Sequence, residues 1–247
     1  MTKMIPAALS AIALALVAGS ANAQVVNGNF NGLSGWTTGG DAASLGGDHL
    51  VLTTSENAFS RDPDDDDAGL ASGARNVSGS NPLATGGGDD SLEAFLGLAG
   101  APFDDIDNFV YSYEGSAAFQ TFNATAGSRL SFQWDLSTLD HRDPTQADYA
   151  FVVIDGQVIK LANAFDATTA TADGDYLAHT GWMDYAATFA NAGAHTIAFG
   201  VVDVGNFANT SALSVTGVNV SAVPESSTLA LMGAGLALLA LQRRRNA

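Results

Sequence analysis

The chain contains no cysteine among its 247 residues. Disulfides, cysteine-based metal sites and thiol catalysis are therefore excluded, and the fold must depend on its hydrophobic core, with any further help coming from a bound metal. Basic residues are also scarce, because nine Lys and Arg stand against 26 Asp and Glu, giving a formal net charge of −17. A nucleic-acid-binding surface needs a basic patch, so this composition excludes nucleic acid as a partner.

The sequence motifs of common hydrolases are missing as well. No Gly-x-Ser-x-Gly sequence occurs, and the four histidines, His49, His141, His179 and His195, are scattered and form no His-Glu-x-x-His zinc motif. Acidic residues are so abundant that a pair suited to glycoside hydrolysis would arise by chance. We therefore expect a protein that is not an enzyme and has no catalytic residues, with a hydrolase as the remaining enzymatic alternative.

Long apolar runs are confined to the two ends of the chain. Residues 1–23 combine Lys3, an apolar stretch from Ala11 to Ala18, and the small-residue cleavage site Ala21-Asn22-Ala23. This combination predicts a secretory signal peptide cut after Ala23. The mature body is then residues 24–222, a length suited to one all-β domain with its own core.

Residues 223–247 have three parts in a fixed order: Val223-Pro224-Glu225-Ser226, an apolar run from Thr228 to Leu241, and the cluster Arg243, Arg244 and Arg245. A bilayer core needs about 20 apolar residues in a helix, with a lower limit near 17, so this run is at or under the limit. We expect a transmembrane helix that enters the inner membrane only transiently, with its arginines on the cytoplasmic side. An ordinary single-span tail is the alternative.

This three-part order resembles the PEP-CTERM sorting signal of Gram-negative bacteria, which a membrane protease called exosortase recognises. The family motif is usually Pro-Glu-Pro, and this chain has Pro224-Glu225-Ser226 instead. The resemblance implies export through the inner membrane, an exosortase-type protease as partner, and delivery to the outer surface or the extracellular matrix. Exopolysaccharide is then the expected neighbour of the protein, in a biofilm or on the cell surface.

Removing both ends makes the body more acidic still. Five basic residues remain against 25 acidic ones, a net charge of −20, and nearly all the acids are Asp. Asp favours turns and ligates hard cations, so the body is expected to be rich in loops and is a candidate for binding Ca²⁺. The candidate calcium ligands are Asp135, Asp148 and Asp203, because metals in jelly-roll proteins commonly lie at strand ends.

A separate acidic run, Asp62 to Asp67, places Asp62, Asp64 and Asp66 at alternating positions, as a calcium loop does. An EF-hand loop counted from Asp62 would then need Gly at position 67 and an acid at position 73, where the chain has Asp67 and Gly73. The EF-hand pattern therefore fails. A solvated acidic loop is the main interpretation, with weak calcium binding as the alternative.

Periodicity in the body indicates short strands. Residues 129–135 alternate apolar and polar side chains, which is typical of a strand with one buried face. Two β-rich runs flank Asp155-Gly156 and predict a type I′ hairpin, and a second hairpin is expected across residues 191–193. Asp90 to Leu98 predicts a short helix over a sheet edge. Together these features predict an all-β fold, an antiparallel β-sandwich of jelly-roll type with one short helix.

Two further resemblances concern the body. Residues 25–37, with Phe30 and Trp36, are similar to the first strand of jelly-roll carbohydrate-binding modules; these two aromatics are expected in the core, with sugar platforms as the alternative. Residues 90–220 resemble the body of many PEP-CTERM surface proteins, which implies a shared domain and no defined activity. The alternative function is a lectin with structural calcium, in which Tyr111, Tyr113, Trp182 or Tyr185 would stack on sugar rings.

Overall fold

The computed structural model describes residues 24–56, 75–105, 110–140, 147–170, 176–205 and 209–222, and a C-terminal helix, Ser226–Arg245, with the side chains of residues 233–244. The signal peptide with Ala21 and Ala23, the acidic run 62–67, and Val223, Pro224 and Glu225 lie outside the described residues.

Within the described residues, thirteen strands form two antiparallel sheets that pack as a sandwich, which confirms the predicted fold class. Sheet A contains six of the described strands, in the order β1, β5, β12, β7, β8, with β4 also paired to β5. Their bounds are β1 Thr37–Gly39, β4 Leu83–Ala84, β5 Ser112–Ala124, β7 Tyr149–Ile154, β8 Gln157–Asn163 and β12 Gly193–Val204. The long strand β12 therefore lies at the centre, between β5 and β7.

Sheet B contains the other seven described strands, in the order β2, β3, β13, β6, β10, β9, with β11 also paired to β6. Their bounds are β2 Asp41–Leu45, β3 His49–Thr53, β6 Arg129–Thr138, β9 Thr169–Ala170, β10 Ala178–His179, β11 Met183–Thr188 and β13 Ser211–Ser221. Strand β13, the last one in the part of the chain that the structure describes, thus lies between β3 and β6.

Aromatic side chains fill the space between the sheets. Phe30 is fully buried and Trp36 is 7% exposed, and their ring centroids lie 5.0 Å apart. Phe199 of β12 contacts both Trp36 and Phe132, at 5.7 and 4.8 Å. Each such side chain stabilises the fold by about 1.5–3 kcal/mol on burial. The interpretation of Phe30 and Trp36 as core residues is confirmed, although residues 25 and 26 before them form no strand.

Sheet A is buried on its outer face too. The short helix α1, Leu92–Leu96, packs there, with Phe95 and Phe119 at 5.3 Å between ring centroids. Phe103, Tyr149 and Phe151 continue this second apolar cluster. The predicted helix is therefore present, but it covers a sheet face and not an edge. Its N-cap is Ser91, whose Oγ accepts a hydrogen bond from Ala94 N at 3.2 Å.

The two hairpin predictions had different outcomes. Asp155 and Gly156 have φ values of 51° and 81° and join β7 to β8, as a type I′ turn requires. The hairpin across residues 191–193 was wrong, because β11 pairs with β6 in sheet B while β12 pairs with β5 and β7 in sheet A. Both edges of β12 are occupied, so the turn carries the chain from one sheet to the other.

Candidate binding site

An exposed tryptophan lies on the outer face of sheet B. Along β6, Trp134 and Leu136 are buried in the core, whereas Gln133 is exposed and Asp135 lies on the same outer face. Asp135 accepts a hydrogen bond from Thr180 Oγ1 at 3.0 Å and lies 3.1 Å from His179 Nδ1. These two contacts hold His179 and Thr180 on β6, and Trp182 follows two residues after Thr180. They therefore help to position its ring.

Trp182 itself is 49% exposed. Its ring contacts the edge of His49, with centroids 6.3 Å apart and an interplanar angle of 77°. His49 in turn lies 2.7 Å from Asp48, measured from Nδ1 to Oδ1. One side of the indole is thereby supported, while much of its surface stays open to solvent.

A groove of about 450 Å³ lies along β6 and β11, on the same outer face of sheet B as Trp182. Gln133 Nε2 donates to Asp184 Oδ1 at 3.0 Å on its floor. Residues lining the groove include Arg129, Ser131, Gln133, Asp184, Tyr185 and Gly217. We call the groove together with His49 and Trp182 the Trp182 face. It offers one aromatic ring and several side chains that donate or accept hydrogen bonds.

The four aromatic candidates from the sequence do not form one platform. Tyr185 is close to Trp182 in sequence, but its ring stacks on Phe132 at 4.8 Å, and burial raises the pKa of its hydroxyl. Tyr111 and Tyr113 are 45% and 37% exposed and belong to the other sheet, at the start of β5. Trp182 is therefore the candidate whose ring is most available for stacking.

The three candidate calcium ligands do not form one group, because Asp148 and Asp203 are neighbours and Asp135 lies apart from them. Asp203 of β12 pairs with Glu114 of β5. On the other side of β12, Val202 pairs with Tyr149 of β7, so the next position along places Asp148 beside Asp203. The side chains of Asp148, Asp203 and Glu114 are each at least 95% buried at one end of the sandwich. Asp135 lies elsewhere, on the outer face of sheet B. Within the described ranges, no group of three or more His, Asp or Glu is arranged to hold a metal ion.

The histidines within the described residues have structural partners. His195 is buried, and its ring contacts that of Phe189 in a tilted arrangement, with centroids 4.3 Å apart. Its Nδ1 lies 2.7 Å from Asp155 Oδ2 and its Nε2 lies 3.1 Å from the carbonyl oxygen of Asn191. Through these two contacts, His195 links the β7–β8 turn to the segment that precedes β12. The spacing of the histidines in the sequence does not reveal this role. His141 lies outside the described residues.

The C-terminal apolar run forms the helix α2, Ser226–Arg245, which contains Ser226 at its start and the three arginines at its end. The expectation of a transmembrane helix is corrected here: in the part of the chain that the structure describes, no helix is both long and apolar enough to cross a bilayer. The glycines, serines and arginines of α2 lower its apolar content.

Comparisons with known proteins give little further information. No family model matches the chain, and no curated protein does. Among solved structures, the enzymatically active domain of tailspike protein 4 from bacteriophage CBA120 is similar to it, with 13% identity and a TM-score of 0.31. The match covers 82% of this chain and 22% of the tailspike chain, so this chain spans about a fifth of the tailspike's length. A similarity at this level carries no argument about function.

Proposed function

We propose that this is a non-enzymatic exported protein of the outer surface or extracellular matrix, sorted through an exosortase-type protease, and that it binds polysaccharide there. The observation that carries the binding activity is Trp182, which is 49% exposed, is supported by His49, and lies on the same sheet face as a groove with polar side chains. Aromatic faces suit the apolar side of a sugar ring, and fixed polar groups suit its hydroxyls. Calcium remains a proposed structural ligand of the body.

The sorting part of the proposal is supported by the order of features at the C-terminal end. Strand β13 ends at Ser221, and α2 begins at Ser226 and ends in arginines. The short segment between them contains Pro224 and Glu225 of the PEP-CTERM-like motif. A protease acting near this motif would release the sandwich without removing any strand.

Affinity electrophoresis of the mature secreted protein tests the binding activity. The gels would contain dextran, galactomannan, hydroxyethyl cellulose or the producer's own exopolysaccharide. At least one polysaccharide should retard the protein, and Trp182→Ala should weaken this retardation at least tenfold, about 1.4 kcal/mol of binding free energy. Leu177→Ala is the matched control, because Leu177 is 57% exposed and does not line the groove. Retardation by none of the polysaccharides would overturn the proposed activity.

A further inference from the structure

A cavity lies on the opposite side of the sandwich from the Trp182 face. It has a volume of about 720 Å³, within the range of 300–1,000 Å³ typical of ligand pockets. Its lining includes Phe103, Asp104, Tyr149, Val158, Lys160 and Asn163. Tyr149 belongs to the apolar cluster on the outer face of sheet A, which places the cavity on that face.

Hydrogen bonds fix the walls of this cavity. Tyr149 Oη donates to the carbonyl oxygen of Phe103 at 2.9 Å. Asp104 Oδ1 accepts hydrogen bonds from both the backbone N and the Oγ of Ser112, each at 2.9 Å. The residues that line the cavity are thus held in place before any ligand arrives, which lowers the entropic cost of binding.

The cavity also contains polar groups that the described residues leave unused. Lys160 Nζ lies 4.0 Å from the centroid of the Tyr149 ring and forms no ion pair with any described carboxylate. Asn163 Oδ1 accepts a hydrogen bond from Phe165 N at 2.9 Å, so its amide is oriented, and its Nδ2 has no hydrogen-bond partner among the described residues. Lys160 and Asn163 therefore provide donors, and Asp104 Oδ2 provides an acceptor.

The charges around the cavity decide which class of ligand fits. Asp104 and Asp105 line it. Burial lowers the pKa of Lys160, and the nearby carboxylates of Asp166 and Asp105 oppose this shift in part. One ammonium group among three carboxylates disfavours an anionic ligand. An uncharged molecule with several hydroxyls can use the donors and the acceptor together, while Phe103 and Val158 contact its apolar side.

We propose that this cavity is a second polysaccharide-binding site that takes a neutral hexose unit, so that the protein holds two polysaccharide chains and cross-links them. The proposal rests on the proposed function, because the first chain is bound by the Trp182 face. The two sites lie on the outer faces of different sheets, so one chain bound at each site leaves the other site accessible. Two linked sites also raise the apparent affinity for a network of chains.

The cavity is tested directly by saturation-transfer NMR on the mature secreted protein with methyl α-glucoside, methyl α-galactoside and methyl α-mannoside. Lys160→Met removes the donor and Val158→Phe fills the cavity. Made in the Trp182→Ala protein, in which the first site no longer contributes, either change should reduce the signal of the bound sugar at least fivefold. Gln157→Met is the matched control, since Gln157 is an exposed residue of the same strand and does not line the cavity. Signals that are the same in all variants, or binding of galacturonate in preference to the neutral sugars, would overturn the proposal.

Cross-linking is tested by the turbidity and viscosity of a polysaccharide that retards the protein in electrophoresis. The wild-type protein should raise both, and Lys160→Met and Trp182→Ala should each abolish the rise. Retardation should persist in Lys160→Met. Retardation of the wild type without cross-linking overturns the second site and leaves the proposed function intact. If no polysaccharide retards the wild type, the proposed function fails, and the NMR signals then decide about the cavity alone.

Discussion

Ser211 Oγ donates a 2.6 Å hydrogen bond to Oδ2 of Asp148 and thereby joins the two sheets at one end of the sandwich. The other carboxylate oxygen, Oδ1, accepts from Val204 N at 3.0 Å. Ser211 belongs to β13 of sheet B and Val204 to β12 of sheet A. One buried carboxylate thus satisfies donors from both sheets.

Asp148→Ala is expected to reduce the free energy of unfolding by about 2–4 kcal/mol, because a buried donor left without a partner costs about 1–3 kcal/mol. Urea denaturation followed by tryptophan fluorescence measures the change. Asp184→Ala, at an exposed position of β11, is the control and should change the stability by less than about 0.5 kcal/mol. Equal stabilities for the two variants would contradict this role of Asp148.

Gly200→Ala should be strongly destabilising. A Cβ at this position would lie 2.1 Å from Cζ of Phe151, whose ring belongs to the cluster covered by α1. The ring would have to move, and overpacking of this kind costs about 1–3 kcal/mol. Thermal unfolding measures the effect. Gly88→Ala is the control, since a Cβ there meets nothing within 4 Å, and a melting temperature equally low in both variants would exclude a specific clash.

Alkaline pH should unfold the protein partly through Tyr149. Burial, followed by the charges of Asp104 and Glu93, raises the pKa of its hydroxyl. In the unfolded chain the group ionises near pH 10, so the unfolded state loses protons first and stability falls as pH rises above about 10, by up to about 1.4 kcal/mol per pH unit. Urea denaturation at pH 8 and pH 11 should show a smaller loss for Tyr149→Phe. Identical losses would contradict the assignment to Tyr149.

Bound calcium should raise the melting temperature only modestly, because a ligand of the folded state stabilises it only when the ligand concentration exceeds Kd. Melting curves in EGTA and in millimolar Ca²⁺ measure this. The positions of the candidate ligands add a control: Asp135→Asn should leave the calcium response unchanged, since Asp135 lies away from Asp148 and Asp203. Identical melting curves in the two buffers would remove the calcium proposal.

C-terminal processing predicts a specific mass for the secreted protein. Cleavage near Pro224 to Ser226 removes Arg243, Arg244 and Arg245, and intact-mass spectrometry detects their loss. Glu225→Ala should reduce the processed fraction if the motif is recognised. A wild-type secreted product that keeps all three arginines would contradict sorting by an exosortase-type protease.

The sequence predicts local features of this fold well and pairings over long distances poorly. The alternation in β6 and the Asp155-Gly156 turn are encoded by neighbouring residues, and both are present. The partner of β11 is β6, a strand more than 40 residues earlier in the chain. No pattern among the residues of β11 specifies which distant strand it pairs with. For the same reason, Trp182 could be proposed from its residue type, but its contact with His49, 133 positions earlier, could not.

The position of β13 has a consequence for the timing of folding. Leu213 of this strand pairs with Leu52 of β3, so the closing contacts of sheet B join residues about 160 positions apart. Until β13 arrives, the facing edges of β3 and β6 are unpaired, and such edges invite aggregation. Contacts this distant in sequence also make folding slow. In the export that we propose, a chain that emerges with its N-terminal end first would therefore reach its native sandwich only at the end of translocation, when Ser211 to Ser221 have followed.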